Sequence, residues 1–226
     1  MTPDRRLYFT IYNHENTTAD QEIFDNTKLL IDKSRRKNPN TIVDEIRYAV
    51  DRNFINTTWY FLNNSLAKQT NCLTEIRKKL KSLTVHSELV LRGHGDVKGR
   101  KLSRISPEVL ARGLLALGLS ESCRINITGC SLGRNAHSGN GIPADNAVNA
   151  VSGDSFADVF VRTLVKEGGL TPAVHARTNI VTVAGDGSKE TRRFNGEKGE
   201  YEHQQHNSKV IWRVFDNGTI VRMFAY

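Results

Sequence analysis

LVLRGHGDVKGRKLSRISPEVLARGLLALGLSESCRINITGCSL, residues 89–132, carries the pattern that decides the architecture. It opens on an apolar run, residues 89–92, that ends in Gly-His-Gly, and closes on a second, residues 125–128, that ends in Gly-Cys. Between them SPEVLARGLLAL, residues 106–117, predicts a helix, with Ser-Pro-Glu supplying a cap and a proline at the first turn. Strand, helix and strand in this order form the unit that sets two parallel strands in one sheet. Neighbouring parallel strands end at the same edge, where α/β proteins build their sites, so the turns bearing His94 and Cys130 are expected to meet.

Further strands are expected at LYFTIY (7–12), TTWYFL (57–62) and IVTVA (180–184). Residues 18–33 read as a helix, with Ile23, Leu30 and Ile31 at helical spacing and Asp20 near the start as a candidate cap. LTEIRKKLKSL (73–83) is amphipathic through Leu73, Ile76, Leu80 and Leu83, and SFADVFVRTLVK (155–166) runs to a stop at Gly168–Gly169. KVIWRVF (209–215), the turn at 216–218 and residues 219–224 predict a β-hairpin, because Asn217–Gly218 suits a tight turn. A polar, glycine-spaced segment precedes it at 185–208, and residues 135–149 read as a loop. The expected fold class is α/β: a mostly parallel central sheet flanked by helices, with a C-terminal basic β-flap and hairpin. One domain is expected over 1–226, with 1–184 as its core and 185–226 as flap and hairpin.

Composition bounds the function. Hydrophobic residues make up 38% and charged residues 25% of the 226, which excludes disordered and fibrous classes. Lysine and arginine number 32 against 24 acidic residues, a net charge of +8 that implies an anionic partner or serves solubility. The basic runs at 34–37, 77–81, 98–101 and 192–193 are scattered, with no aromatic-interleaved RNA-binding pattern and no helix-turn-helix signature. No apolar run approaches the roughly 18 residues that span a bilayer, and MTPDRRLYFT lacks the layout of a secretory signal, so the chain reads as soluble. Three cysteines, Cys72, Cys123 and Cys130, cannot all pair within one chain, which favours a reducing compartment. There is no CxxC, and Cys123 and Cys130 flank a strand in poor geometry for shared ligation, so no metal is expected.

A cysteine after a strand is commonly just a small buried residue, and a histidine before glycine a turn residue. Their joint occurrence at two neighbouring strand ends points to chemistry. An imidazole within hydrogen-bond range of a thiol lowers the thiol's pKa or takes its proton, and yields a nucleophilic thiolate. Gly129 permits a sharp turn, and the backbone N–H groups of Gly95 and Cys130 are candidates for holding an oxyanion.

VLRGHGD and INITGCSL resemble the caspase-like clan of cysteine peptidases, and within it the inositol-hexakisphosphate-activated cysteine peptidase domain of RTX toxins, large clostridial glucosylating toxins and some type III secreted effectors. The likeness runs through most of the chain: the His motif, the helix near SPEVLA, GCSL, and a late basic flap to which GSKETRRF and SKVIWRVFDNG are similar. The resemblance implies a thiol endopeptidase with Cys130 as nucleophile, His94 as its base and Asp20 as an orienting carboxylate. It implies inositol hexakisphosphate as allosteric activator, held by Lys33, Arg192, Arg193, Lys198 and Lys209, and cleavage after Leu. One departure stands out: clostridial members carry a basic residue where this chain has Glu88, so a phosphate contact is missing or comes from Arg92. The family further implies a bacterial toxin or effector, secreted without a cleaved signal, that works in the host cytosol on its own chain or a host protein. Free-standing effector and excised toxin domain both remain open. The rival reading is a non-catalytic basic α/β module binding nucleic acid or phosphoinositide headgroups, supported by the net charge alone.

Overall fold

Residues 2–13, 17–50, 70–96, 100–130, 132–133, 154–178, 180–195, 200–203 and 209–224 are described in a computed structural model. In chain order the elements are β1 (Arg5–Asn13), α1 (Thr17–Lys37), β2 (Ile42–Val50), α2 (Thr70–Lys81) and β3 (Glu88–Arg92). Next come β4 (Gly95–Asp96), β5 (Lys101–Leu102), α3 (Pro107–Ala116), β6 (Arg124–Thr128), α4 (Phe156–Gly168) and β7 (Val174–Arg177). The chain closes with β8 (Ile180–Val183), β9 (Lys189–Asn195), β10 (Glu200–His203), β11 (Lys209–Val214) and β12 (Ile220–Phe224). None of these helices is long and apolar enough to cross a membrane.

Seven strands form one sheet in the order β12-β11-β7-β6-β3-β1-β2. The pairs β2/β1, β1/β3, β3/β6 and β6/β7 are parallel, while β7/β11 and β11/β12 are antiparallel. This is the α/β architecture expected, a mostly parallel sheet flanked by helices. Successive side chains of a strand alternate between faces, and here the two faces differ in chemistry. Leu7, Phe9 and Ile11 of β1, Leu89 and Leu91 of β3, Ile125 and Ile127 of β6, and Val210 and Trp212 of β11 enter one large apolar core. The apolar sides of α2, α3 and α4 close it, through residues such as Ile76, Leu110 and Phe160. The opposite face carries a smaller cluster, in which Tyr8 and Val90 meet Leu30 and Ile31 of α1. Elsewhere that face is polar.

The helices start and stop where local chemistry dictates. Ser106 caps α3 by accepting from the Val109 N–H at 3.4 Å, with Pro107 in the first turn. Ser155 caps α4 through the Asp158 N–H at 3.1 Å, and Gly169 ends it in the left-handed conformation with φ of 63°. Asp20 does not cap α1, because that helix begins at Thr17 and Asp20 falls within its first turn.

Four expectations need revision or lie out of reach. The strand expected at 180–184 forms as β8 (Ile180–Val183), but β8 pairs antiparallel with β9 in a separate three-stranded sheet, β10-β9-β8. Only two residues separate it from β7, too few for the crossover a parallel neighbour requires. The C-terminal hairpin forms, and it extends the central sheet as β11 and β12, because Val210 and Trp212 belong to the main core. Segment 185–226 therefore divides between the small sheet and the large one. The strand expected at 57–62 and the loop at 135–149 lie outside the described residues. β2 and β7 carried no expectation.

One carboxylate bolts the hairpin to α4. Asp158 is fully buried and accepts from Trp212 Nε1 at 3.3 Å, Arg222 Nε at 3.0 Å and Arg162 Nε at 2.7 Å. Asp158→Ala leaves the enclosed indole N–H without its acceptor and removes the Arg222 ion pair, at a cost of about 3 kcal/mol, and lowers Tm by roughly 6–12 °C. Arg162→Ala, which removes only the solvent-facing partner, costs about 0.5 kcal/mol. Thermal melts of the two variants check the ordering.

Candidate active site

The two turns singled out by sequence touch each other. β3 and β6 pair in parallel with Arg92 opposite Thr128, so the chain leaves both strands side by side at Gly93 and Gly129. A Cβ built on Gly129 would lie 3.0 Å from the Gly93 carbonyl oxygen, and one on Gly95 would lie 2.0 Å from the Cys130 carbonyl oxygen and 2.6 Å from its nitrogen. Only glycine at position 95 allows that backbone approach. It packs the His94 turn directly against the Cys130 turn, with His94 exposed and Cys130 half-buried.

Ser103, which sequence reasoning missed, fixes the backbone of His94 on both sides. Its N–H donates to the His94 carbonyl at 2.7 Å, and its Oγ accepts from the His94 N–H at 3.1 Å. The same hydroxyl donates to the Ile11 carbonyl at 2.7 Å, tying the turn to β1. Ser103 and Arg104 take φ of 45° and 69°, a left-handed pair that no composition signal announces.

Burial pushes the Cys130 thiol above its ordinary pKa, and the Arg92 guanidinium pulls against that shift. Its sulfur faces the Val181 carbonyl of β8 at 4.0 Å. Cys123, fully buried in the main core, is pushed up to about 12 by burial and is inert as a nucleophile. Asp20 lies on α1, and its side chain is outside the described ones.

The polar face of the sheet floors a basic cleft. Arg6, Glu88, Asn126, Thr128, His175, Arg177 and Lys209 come from five strands, each at the alternate position to the core residues. Lys33 and Lys37 of α1 form one wall, and Lys189 of β9 lines both halves and joins them. The turn before β9 seats on α1, since a Cβ on Gly187 would lie 2.5 Å from the Leu29 carbonyl oxygen. Lys189 Nζ reaches the floor and donates to Thr128 Oγ1 at 2.9 Å.

Cations here outnumber their counter-charges. Glu88, buried to 4% exposure, meets Arg6 at 2.5 Å, Arg124 at 3.2 Å and the Asn126 amide. Burial, reinforced by Arg92, Arg177 and Lys209, lowers Lys189 to about 7. Burial and the surrounding cations take His175 down to about 3, and Lys209 is lowered by burial and by Arg177. Among the described residues, His175 Nδ1 and Arg124 Nε are buried without a hydrogen-bond partner. Two unsatisfied buried nitrogens among crowded cations fit a ligand rich in anionic oxygens.

Of the basic residues expected to converge, Lys33 and Lys209 line the cleft. Arg192 sits on the strand parity opposite to Lys189, exposed and 3.7 Å from Glu190. The side chains of Arg193 and Lys198 lie outside the described ones. Arg6, Lys37, His175, Arg177 and Lys189, with Arg124 beside Glu88, were missed, being scattered through the chain; strand parity unites those on the central sheet, while Lys37 comes from α1 and Lys189 from β9. Arg92 is buried beneath α1 and donates to Thr27 Oγ1 at 3.3 Å.

Residues 53–192 match the family model described as the Peptidase C80 family. No curated protein matches the chain. The matched span holds both touching turns and Lys189.

Two outcomes follow from this geometry. Gly95→Ala must force the turns apart, and alkylation of Cys130 by iodoacetamide should change at least severalfold while the far-ultraviolet spectrum is retained. The second concerns pH. With Lys189 near 7 against an ordinary 10.5, the cost of burying its charge is fully present below about pH 7 and is relieved as pH rises toward 10.5, so stability rises across that window. A bound polyanion favours the ammonium form, so binding takes up a proton there and affinity falls as pH rises. Titration calorimetry with inositol hexasulfate, whose charge does not titrate, should show weaker binding at pH 8.5 than at pH 6. Lys189→Met should flatten that slope.

Proposed function

The chain belongs to the Peptidase C80 family, the cysteine peptidase autoprocessing domains of RTX and clostridial toxins, and from that premise we propose a Cys130–His94 thiol endopeptidase switched on by inositol hexakisphosphate. It is a cysteine peptidase and so a hydrolase; the residues, the activator and the substrate preference are the proposal. The observation that carries it is the Gly95–Cys130 backbone contact, which sets the histidine turn on the cysteine turn at the end of two paired strands.

In this mechanism His94 accepts the thiol proton, and the Cys130 sulfur attacks the scissile carbonyl carbon. The oxyanion forms beside the backbone amides of Gly95 and Cys130, which would stabilise it. The intermediate collapses to a thioester, and His94 gives its proton to the departing amine. Water then attacks the thioester, with His94 as base, and releases the acid and the thiol. Asp20 would orient His94, and an apolar pocket would accept Leu before the cleaved bond.

The cleft's chemistry supports the activator. Lys33, Lys189, Arg177 and Lys209 would hold phosphate oxygens, and the unpartnered His175 and Arg124 nitrogens suit the same ligand. Arg193 and Lys198 are proposed as further contacts, with exposed Arg192 at the rim. The link to the thiol is the small sheet. β9 carries Lys189 into the cleft, and β8, paired to it, presents the Val181 carbonyl to the Cys130 sulfur. An anion that draws Lys189 moves the strand that faces the nucleophile. It shifts the equilibrium only by as much as it binds the active arrangement better. The substrate would be the protein's own chain or a host protein, after delivery by a bacterium into the host cytosol, where a reducing milieu keeps the thiol intact.

The test is cleavage of candidate substrates, and of the chain itself, followed by mass spectrometry across an inositol hexakisphosphate titration. Cys130→Ala and His94→Ala should each lose at least a hundredfold in rate, whereas Cys72→Ala and Cys123→Ala keep activity. Asp20→Ala should show a partial defect with unchanged activator affinity. The ligand should raise Tm by mass action. Undiminished cleavage by Cys130→Ala removes the assigned nucleophile, and equal cleavage with and without ligand removes the activator.

A further inference from the structure

Arg92 is among the most deeply placed charges in the molecule, at 6% exposure. It lies in β3 between Thr10 of β1 and Thr128 of β6, two residues before His94, and Thr128 in turn precedes Cys130 by two. Its guanidinium is capped by α1 through Thr27 Oγ1 at 3.3 Å. Among the described residues no carboxylate approaches it at ion-pair distance, and the buried Glu88 is engaged by Arg6 and Arg124. Enclosing a guanidinium without an anion costs several kcal/mol, and a negative charge formed near it would offset that cost.

The ionisable groups whose fields reach Arg92 are Tyr8 of β1, Cys130 after β6, Glu22 of α1 and, with like sign, Lys189 of β9. Burial raises the Tyr8 phenol above its ordinary range, so it stays neutral at working pH, and Glu22 is solvent-exposed. The remaining partner is the half-buried sulfur at the end of the adjacent strand. We propose that Arg92 is the buried counter-ion of the Cys130 thiolate, a positioning residue that acts on the sulfur through its charge and not by contact with substrate. The inference rests on Cys130 being the nucleophile and adds a second cation beside His94. His94 takes the proton away; Arg92 keeps the sulfur anionic afterwards. The groups that act on the Cys130 thiol among the described residues are the Val181 carbonyl of β8, Arg92 of β3 and Glu22 of α1, and the His94 turn packs on the Cys130 backbone through Gly95.

The experiment is the pH profile of iodoacetamide alkylation at Cys130 in the full chain, read by peptide mass spectrometry, which reports the thiolate without requiring cleavage. Arg92→Gln, which can still bond Thr27, should raise the alkylation midpoint by one unit or more, and Arg92→Lys should restore most of the shift. A midpoint in Arg92→Gln within 0.3 of wild type overturns the proposal. A second comparison leaves Arg92 in place: Cys130→Asp against its isostere Cys130→Asn. With a cation waiting there, the Asp protein should melt at least as high as the Asn protein at pH 7.5 and lose that parity near pH 3. An Asp protein melting several degrees lower at pH 7.5, as unpaired burial dictates, also overturns it. If Cys130→Ala cleaves normally, the peptidase assignment fails on separate grounds, since neither readout here measures cleavage.

Discussion

In β1, β3, β6, β7 and β11 the odd and even positions have opposite chemistry, and the pleat converts that alternation into two surfaces. One surface is dry and carries Phe9, Leu91, Ile127 and Trp212 into the main core. The other holds Arg6, Glu88, Arg92, Thr128 and Arg177. A slip of one residue in any of these strands would exchange the faces, placing guanidinium groups in the core. The register that builds the core therefore also sets every floor residue of the cleft. Core and cleft are two readings of one constraint.

That economy has an electrostatic consequence. Burial over a hydrophobic layer lowers Lys189, Lys209 and Arg177, and the repulsion of neighbouring cations adds to the shift at Lys189 and Lys209. Glu88 relieves part of the strain by drawing Arg6 and Arg124 together. The remainder is stored at the junction of the central sheet, α1 and the small sheet, beside the strand that leads to Cys130. Arg92 and Lys189 thus share one field as near neighbours of like sign.

Short-range chemistry was legible in the sequence. Ser106, Ser155 and Gly169 announce helix ends through hydrogen bonds to residues within a turn, and the two Gly-bounded motifs announced the touching strand ends. β2 was not legible because IVDEIRYAV, interrupted by Asp44, Glu45 and Arg47, lacks the apolar run of a central strand. β7 was too short, four residues with His175 and Arg177 among them. The cleft was legible only in part. Lys33 and Lys209 came through family likeness, but Lys189, His175 and Arg124 converge through strand parity across long separations, and no local pattern encodes that. Ser103 escaped for a different reason, since its role depends on a left-handed backbone that its side chain does not favour.

Trp212 belongs to β11, close to the end of the described chain, yet it lies in the main core, bonded to Asp158 of α4 and set against the turn at Gly133. A nascent or threading polypeptide reaches that strand only after β1 to β10. Until it docks, the apolar layer beneath β7 lies open and Asp158 lacks its indole partner. Vectorial synthesis therefore imposes an order on maturation: the turns bearing His94 and Cys130 emerge early, but the core beneath them is sealed only by a strand made some eighty residues after Cys130. A hydrolase assembled in this order completes its core only after both motif-bearing turns have been made.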